Sequence, residues 1–186
     1  MSKRFLWLGV LIAALIQTFF LVDMIRERAS LIRNGEEVIL RSNFVDPRDL
    51  FRGHYVTLNL EISRLTDVPT AGDASKEKAG NRYTIWVELE QTEEDGFWTA
   101  KTFWWSKPTD PKGPIIAGEY VGMRDKTRRI DFPIDRYFAP KLEAKRLEKF
   151  QRDDQLGVIL VLSEDGTAAV KGITVAGERA YDEPLF

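Results

Sequence analysis

From Phe5 to Ile25 the chain reads FLWLGVLIAALIQTFFLVDMI and meets no charged side chain before Asp23. An apolar run of about 20 residues, rising ~1.5 Å per residue, reaches roughly 30 Å, the depth of the hydrocarbon core of a bilayer. Helices that pack on a soluble core keep a polar face; this stretch has none, and Gln17 and Thr18 are polar without being charged. A cleaved signal peptide has a shorter apolar region followed directly by small residues, whereas here Asp23-Met24-Ile25-Arg26-Glu27-Arg28 follows. The pattern therefore predicts an uncleaved transmembrane anchor, with its flanks, over residues 1–28, and a soluble domain over residues 29–186. Ala29 to Arg33 prolong the helix by about a turn, and Asn34-Gly35 stops it.

Beyond the anchor the periodicity changes from helical to two-residue. Glu37 to Val45 reads as a strand, and Asp46-Pro47-Arg48-Asp49 has turn chemistry. Residues 54–63 place His54, Val56, Leu58, Leu60 and Ile62 on one face and Tyr55, Thr57, Asn59, Glu61 and Ser63 on the other, the pattern of a half-buried strand. Thr66 to Asn81, rich in Gly, Ala, Ser, Lys and Asp, reads as a loop at a hairpin tip. Tyr83 to Gln91 alternates with Tyr83, Ile85, Val87 and Leu89 inward; Glu93-Glu94-Asp95-Gly96 turns it back into Phe97 to Trp105. After the Lys107–Pro114 loop come strands at Ile115 to Met123 and Arg129 to Phe132 around Arg124-Asp125-Lys126. Pro140 suits a first helical position, and Lys141 to Arg152 make one short helix whose charges form a solvated face. Leu156 to Leu162, the Glu164-Asp165-Gly166 turn and Thr167 to Val175 form a closing hairpin, with a polar, exposed tail after Gly177. Short turns between successive strands imply antiparallel pairing. The fold class expected is mainly β: the N-terminal transmembrane helix, then an antiparallel barrel or sandwich of about eight strands with one short helix.

Composition narrows the chemistry. Lys+Arg number 27 against 29 Asp+Glu, a net charge of −2 that supplies no basic field for nucleic acid. With no cysteine there is no thiolate metal site, disulfide or thiol nucleophile, and with His54 as the one histidine there is no site needing paired imidazoles. No nucleophile elbow, phosphate loop or dinucleotide fingerprint occurs, so no catalytic residue, metal or cofactor is marked. Two constellations remain. The first is the polar loop Asp46, Arg48, Asp49, Arg52 and His54, where Arg could take an anion and His or Asp handle a proton; its blander reading is a salt-bridged turn, with His54 a hydrogen-bonded core side chain. The second is the strand with Phe97, Trp98, Phe103, Trp104 and Trp105, in which one face must be core. Trp98 and Trp104 share one face and Trp105 the other, and an exposed aromatic face would suit a ligand, a partner or the membrane interface.

The stretch Val45-Asp46-Pro47-Arg48-Asp49-Leu50-Phe51-Arg52-Gly53-His54-Tyr55-Val56-Thr57-Leu58 resembles the signature of a bacterial family named for its motif, the GDYXXLXY proteins. Phe132-Pro133-Ile134-Asp135-Arg136-Tyr137-Phe138-Ala139-Pro140 is similar to a second segment of that family, and Gly166 with Val170-Lys171-Gly172-Ile173 to its C-terminal end. Gly53, Tyr55 and Leu58 match the motif; His54 stands in place of its Asp, Leu60 in place of its last Tyr, and Lys141 where the second segment has Glu. The resemblance marks Asp46, Arg48, Asp49, Arg52, Gly53, His54, Tyr55, Leu58, Arg136 and Tyr137 as a binding or structural motif. It implies a single-pass protein of the bacterial inner membrane with its domain on the periplasmic side, often paired with a polytopic membrane protein, and no established activity. Flanking charge points the other way, since Lys3 and Arg4 precede the helix and Arg26, Arg28 and Arg33 follow it. The expected role is an accessory or binding domain tethered to the bilayer beside a membrane partner. The alternatives are an envelope-ligand sensor using the aromatic strand and a hydrolase using Arg48, Asp49 and His54.

Overall fold

In the computed structural model the residues described are 3–45, 56–72, 82–134, 136–137, 156–175 and 177–182. The chain opens with α1, Lys3–Asn34, a single uninterrupted helix. Within it Trp7–Asn34 is long and apolar enough to cross a membrane, and none of that span is buried against the rest of the protein. At ~1.5 Å per residue the apolar part covers about 30 Å and the last nine residues stand about 13 Å beyond it.

The helix stops where the Gly35 N–H donates to the Leu31 carbonyl at 2.9 Å. Gly35 is the only residue between α1 and β1, Glu36–Val45. A Cβ there would press into Val161 Cγ1 and come within 2.8 Å of the Leu31 and Leu162 carbonyl oxygens. Ala29, Leu31 and Ile32 are half-buried near this junction, whereas residues 7–28 of α1 are exposed. The helix therefore enters the sheet without a flexible linker.

Twelve strands are found among the described residues. After β1 come β2 (Val56–Leu60), a 3-10 turn at Glu61–Ser63, β3 (Arg64–Thr66), β4 (Thr70–Ala71), β5 (Tyr83–Gln91) and β6 (Trp98–Trp104). Then follow β7 (Ile115–Arg124), β8 (Thr127–Asp131), β9 (Arg136–Tyr137), β10 (Leu156–Leu162), β11 (Ala168–Val175) and β12 (Glu178–Asp182). They form one open sheet with the order β12-β11-β10-β1-β6-β5-β7-β8-β3; off this path β2 pairs with β1 and β9, and β4 with β6. Consecutive hairpins pair antiparallel as expected, for example Tyr83↔Tyr120 between β5 and β7. The β7–β8 turn holds Asp125 and Lys126 at φ +51 and +64, the two left-handed residues a type I′ hairpin needs. Two pairings are parallel, β1 with β6 and β4 with β6.

The mainly β class with one N-terminal apolar helix holds; the sheet is open rather than a closed barrel, and its strands exceed the eight expected. The alternation over 54–63 breaks at Leu60, where the 3-10 turn ends β2 and starts β3. Part of the expected 66–81 loop pairs as β4 on β6, and the polar tail, although exposed, pairs as β12 on β11. Neither segment has an apolar face to betray it. The expected helix from Pro140 to Arg152 lies outside the described residues.

One apolar cluster draws on β1, β2, the 3-10 turn, β3, β5 to β8, β10 and β11, so the sheet bends around its own core. At its centre Phe103, Trp105 and Tyr120 meet edge to face, with Trp105 4.8 Å from Phe103 and 4.9 Å from Tyr120 between ring centroids. Every residue of β10 is buried, so both its faces are covered. Leu156, Val158, Leu160 and Leu162 join the main core, and Val161 lies on the other face beside the end of α1.

Candidate functional site

Three segments remote in sequence meet where the anchor enters the sheet. The first is the last part of α1, where Glu27, Ser30, Leu31 and Asn34, spaced i, i+3, i+4 and i+7, share one face. The second is the loop after β6. Glu88 of β5, only 4% exposed, accepts from the Lys112 backbone N–H at 3.1 Å and from the Trp104 indole N–H at 3.2 Å. The Leu89 N–H donates to the Pro114 carbonyl at 2.8 Å. A proline-rich loop that cannot build regular structure is thus fixed to β5 at both its middle and its end.

The third segment is the turn between β10 and β11. Asp165 accepts from the Ser163 hydroxyl, from the Thr167 N–H at 3.1 Å and from the Thr167 hydroxyl at 3.0 Å. Those bonds, the Ser163 hydroxyl first and the Thr167 amide next, hold the Asp165 carboxyl below the usual aspartate range, and the Lys107 ammonium adds to them. Gly166 sits at φ +92, a conformation that a side chain would strain. Its carbonyl accepts from the Ala117 N–H at 2.8 Å, and the Asp165 carbonyl accepts from the Trp86 indole N–H at 3.0 Å.

Between these walls lies an open cleft of about 920 Å³. Its apolar surface comes from Leu31, Pro108, Pro111, Pro114, Ile115 and Leu162; its charged lining is Glu27, Glu36, Glu164 and Asp165 against Lys107. Among the described residues, four carboxylates to one ammonium make it acidic. Glu27 is two residues past Ile25, so one wall begins about 3 Å beyond the end of the apolar run. Among the described residues no group of three His, Cys, Asp or Glu side chains is placed to hold a metal ion.

The residues singled out by sequence fall differently. Asp46, Arg48, Asp49, Arg52, Gly53, His54 and Tyr55 lie outside the described residues. Leu58 is in β2 opposite Phe44, and Arg136 and Tyr137 form β9, paired with Thr57 and Val56. The two motif-bearing stretches, nearly 80 residues apart in sequence, are therefore neighbours across one ladder (Thr57↔Arg136). The third begins at Gly166, in the turn whose Asp165 and Thr167 line the cleft.

The family model for GDYXXLXY proteins matches residues 17–173. The chain belongs to the GDYXXLXY family. The match takes in α1 from residue 17 onward and the sheet as far as β11, so helix and sheet both fall within the GDYXXLXY match. No curated protein and no solved structure matches the chain.

The expected aromatic surface of this GDYXXLXY protein requires correction. Trp105 is 1% exposed and belongs to the core, Trp98 packs against that core, and Trp104 is half-buried with its N–H bonded to Glu88. The cause is a bulge: Glu88 pairs with Thr102 and Leu89 with Ala100, leaving Lys101 as an extra residue. That residue reverses the alternation, so Trp98 and Ala100 turn to the same core as Phe103 and Trp105. The cleft was not anticipated. Its pieces read individually as a helix end, a proline loop and a turn, and no sequence signal places them together.

Proposed function

We infer that this GDYXXLXY protein is a single-pass, membrane-anchored accessory domain that holds a juxtamembrane segment of an integral membrane partner in the cleft at its anchor. The observation that carries this reading is the passage of α1 into β1 through Gly35 alone, which makes the helix end a wall of the cleft. A tether confines the domain near the bilayer and raises its effective concentration at any partner there. A rigid tether also fixes the height at which the cleft opens. The acidic lining favours a segment bearing Lys or Arg, and the prolines with Leu31 and Ile115 offer apolar contact between the charges. The family resemblance supports a domain on the periplasmic side of the bacterial inner membrane, although more arginines follow the apolar run than basic residues precede it.

A photo-crosslinking side chain at Thr109, in the cleft wall, tests the reading in whole cells. The expected result is an adduct with an integral membrane protein that is absent when the same group is placed at Asp125, in the β7–β8 turn. Adducts of equal yield from both positions, or none from Thr109, would overturn it. An alkaline phosphatase fusion after Phe186 checks the side of the membrane, with activity expected.

A further inference from the structure

We propose that the membrane-spanning part of α1 carries a self-association face centred on Gln17, through which two copies of the chain pair as parallel helices. Gly9, Ala13 and Gln17 follow one another at intervals of four residues. At about 100° per residue, each step drifts only ~40°, so all three lie on one stripe. All three are exposed, and a Cβ added at Gly9 would meet nothing within 4 Å, so the stripe is an open notch.

Gln17 supplies the reason for something to fill it. It lies two residues from Leu15, the middle of the Phe5–Ile25 run, and so about 3 Å from mid-bilayer. Its amide has two donors and an acceptor oxygen, and the span stands clear of the sheet, so the domain offers it no partner. Hydrocarbon offers none either. Thr18 differs, because a hydroxyl can return to the carbonyl four residues back in its own helix.

A second copy is the occupant that the geometry favours. It inserts in the same orientation, so its Gln17 stands at the same depth without any adjustment, and two amides can each donate to and accept from the other. Gly9 and Ala13, one and two turns earlier, let the backbones approach closely. The inference rests on the membrane-anchored reading.

The natural chain has no cysteine, so single cysteines report the face directly in the full-length protein in its membrane. Cysteine at Ala13, Ile16 or Phe20 should give an oxidised band at twice the chain mass. Cysteine at Leu11, Leu15 or Val22, about half a turn away, should give little. In the Ala13→Cys background, Gln17→Leu should lower that band about three- to tenfold, and Gln17→Asn, which keeps the amide, should retain most of it. Equal crosslinking on both faces, none on either, an adduct of Ala13→Cys with a different protein, or indifference to Gln17→Leu would overturn the proposal. Any of these in membrane-bound protein leaves the anchored reading standing; recovery of the intact chain in the supernatant removes both.

Discussion

At Gly35 the backbone passes between Val161 and the carbonyls of Leu31 and Leu162, and a methyl group there has no free space. Gly35→Ala is expected to destabilise the protein by about 1–3 kcal/mol through overpacking, a fall of roughly 2–12 °C in Tm for a chain of this size. Thermal unfolding of the full chain in detergent measures it; an unchanged Tm would mean the junction relaxes freely and the tether is not stiff. Asp165 gives a pH-dependent counterpart. Its carboxyl is lowered from 3.8 by the Ser163 and Thr167 bonds, so its stabilising contribution is complete above that value and fades as pH falls through the lower, folded-state value. The stability gap between the protein and Asp165→Asn should therefore be constant from neutrality to about pH 4 and close below pH 3.8. A gap in urea midpoint that persists unchanged far below that pH would show the bonds do not depend on the charge.

At the scale of elements, the Lys107–Pro114 loop depends on a buried carboxylate. Glu88→Ala would leave the Lys112 N–H and the Trp104 indole N–H without their acceptor, a loss of about 1–2 kcal/mol for part-buried donors. Glu88→Gln keeps an acceptor oxygen and should cost less. Comparing the two melts distinguishes a lost hydrogen bond from a lost charge, and equal costs would contradict the ranking. β12 is held in another way: Glu37 of β1 accepts from both Lys171 of β11 and Arg179 of β12, bridging across β10. Those groups are partly exposed, so Glu37→Gln should change global stability by about 1 kcal/mol or less while speeding amide exchange over Glu178–Asp182. The same contrast explains what was legible in the sequence. β5 and β7 were readable because each has one clear apolar face and a neighbouring turn signal. β12 was not, since a charged side chain and strand pairing hold it, with no apolar alternation to read. Simple alternation puts Trp98 on the face opposite Trp105, because the bulge at Lys101 that brings both to one core is a property of the β5–β6 register, invisible along either strand alone.

For the whole molecule, the question is whether anchor and domain act as one body. A helix with bare apolar sides and a sheet with its own core are each explicable separately; the cleft exists because Gly35 fixes one against the other. The helix end, the proline loop and the turn were thus legible one by one, but not as a site, since Glu27, Lys107 and Asp165 come together only through the fold. Inserting a flexible Gly-Ser segment of about six residues between Asn34 and Gly35 tests the coupling. Such a linker has a root-mean-square reach of about 13 Å, enough to let the helix end leave the Lys107–Pro114 wall. The sheet core, which does not include α1, should keep a Tm within about 2 °C, a change of under 1 kcal/mol. The chain should still sediment with membranes, because the apolar run is untouched. Photo-crosslinking from Thr109 should fall at least about tenfold, since the partner would meet one wall of the cleft without the other. If crosslinking survives the linker, the domain recognises its partner without the anchor, and the helix is a tether alone.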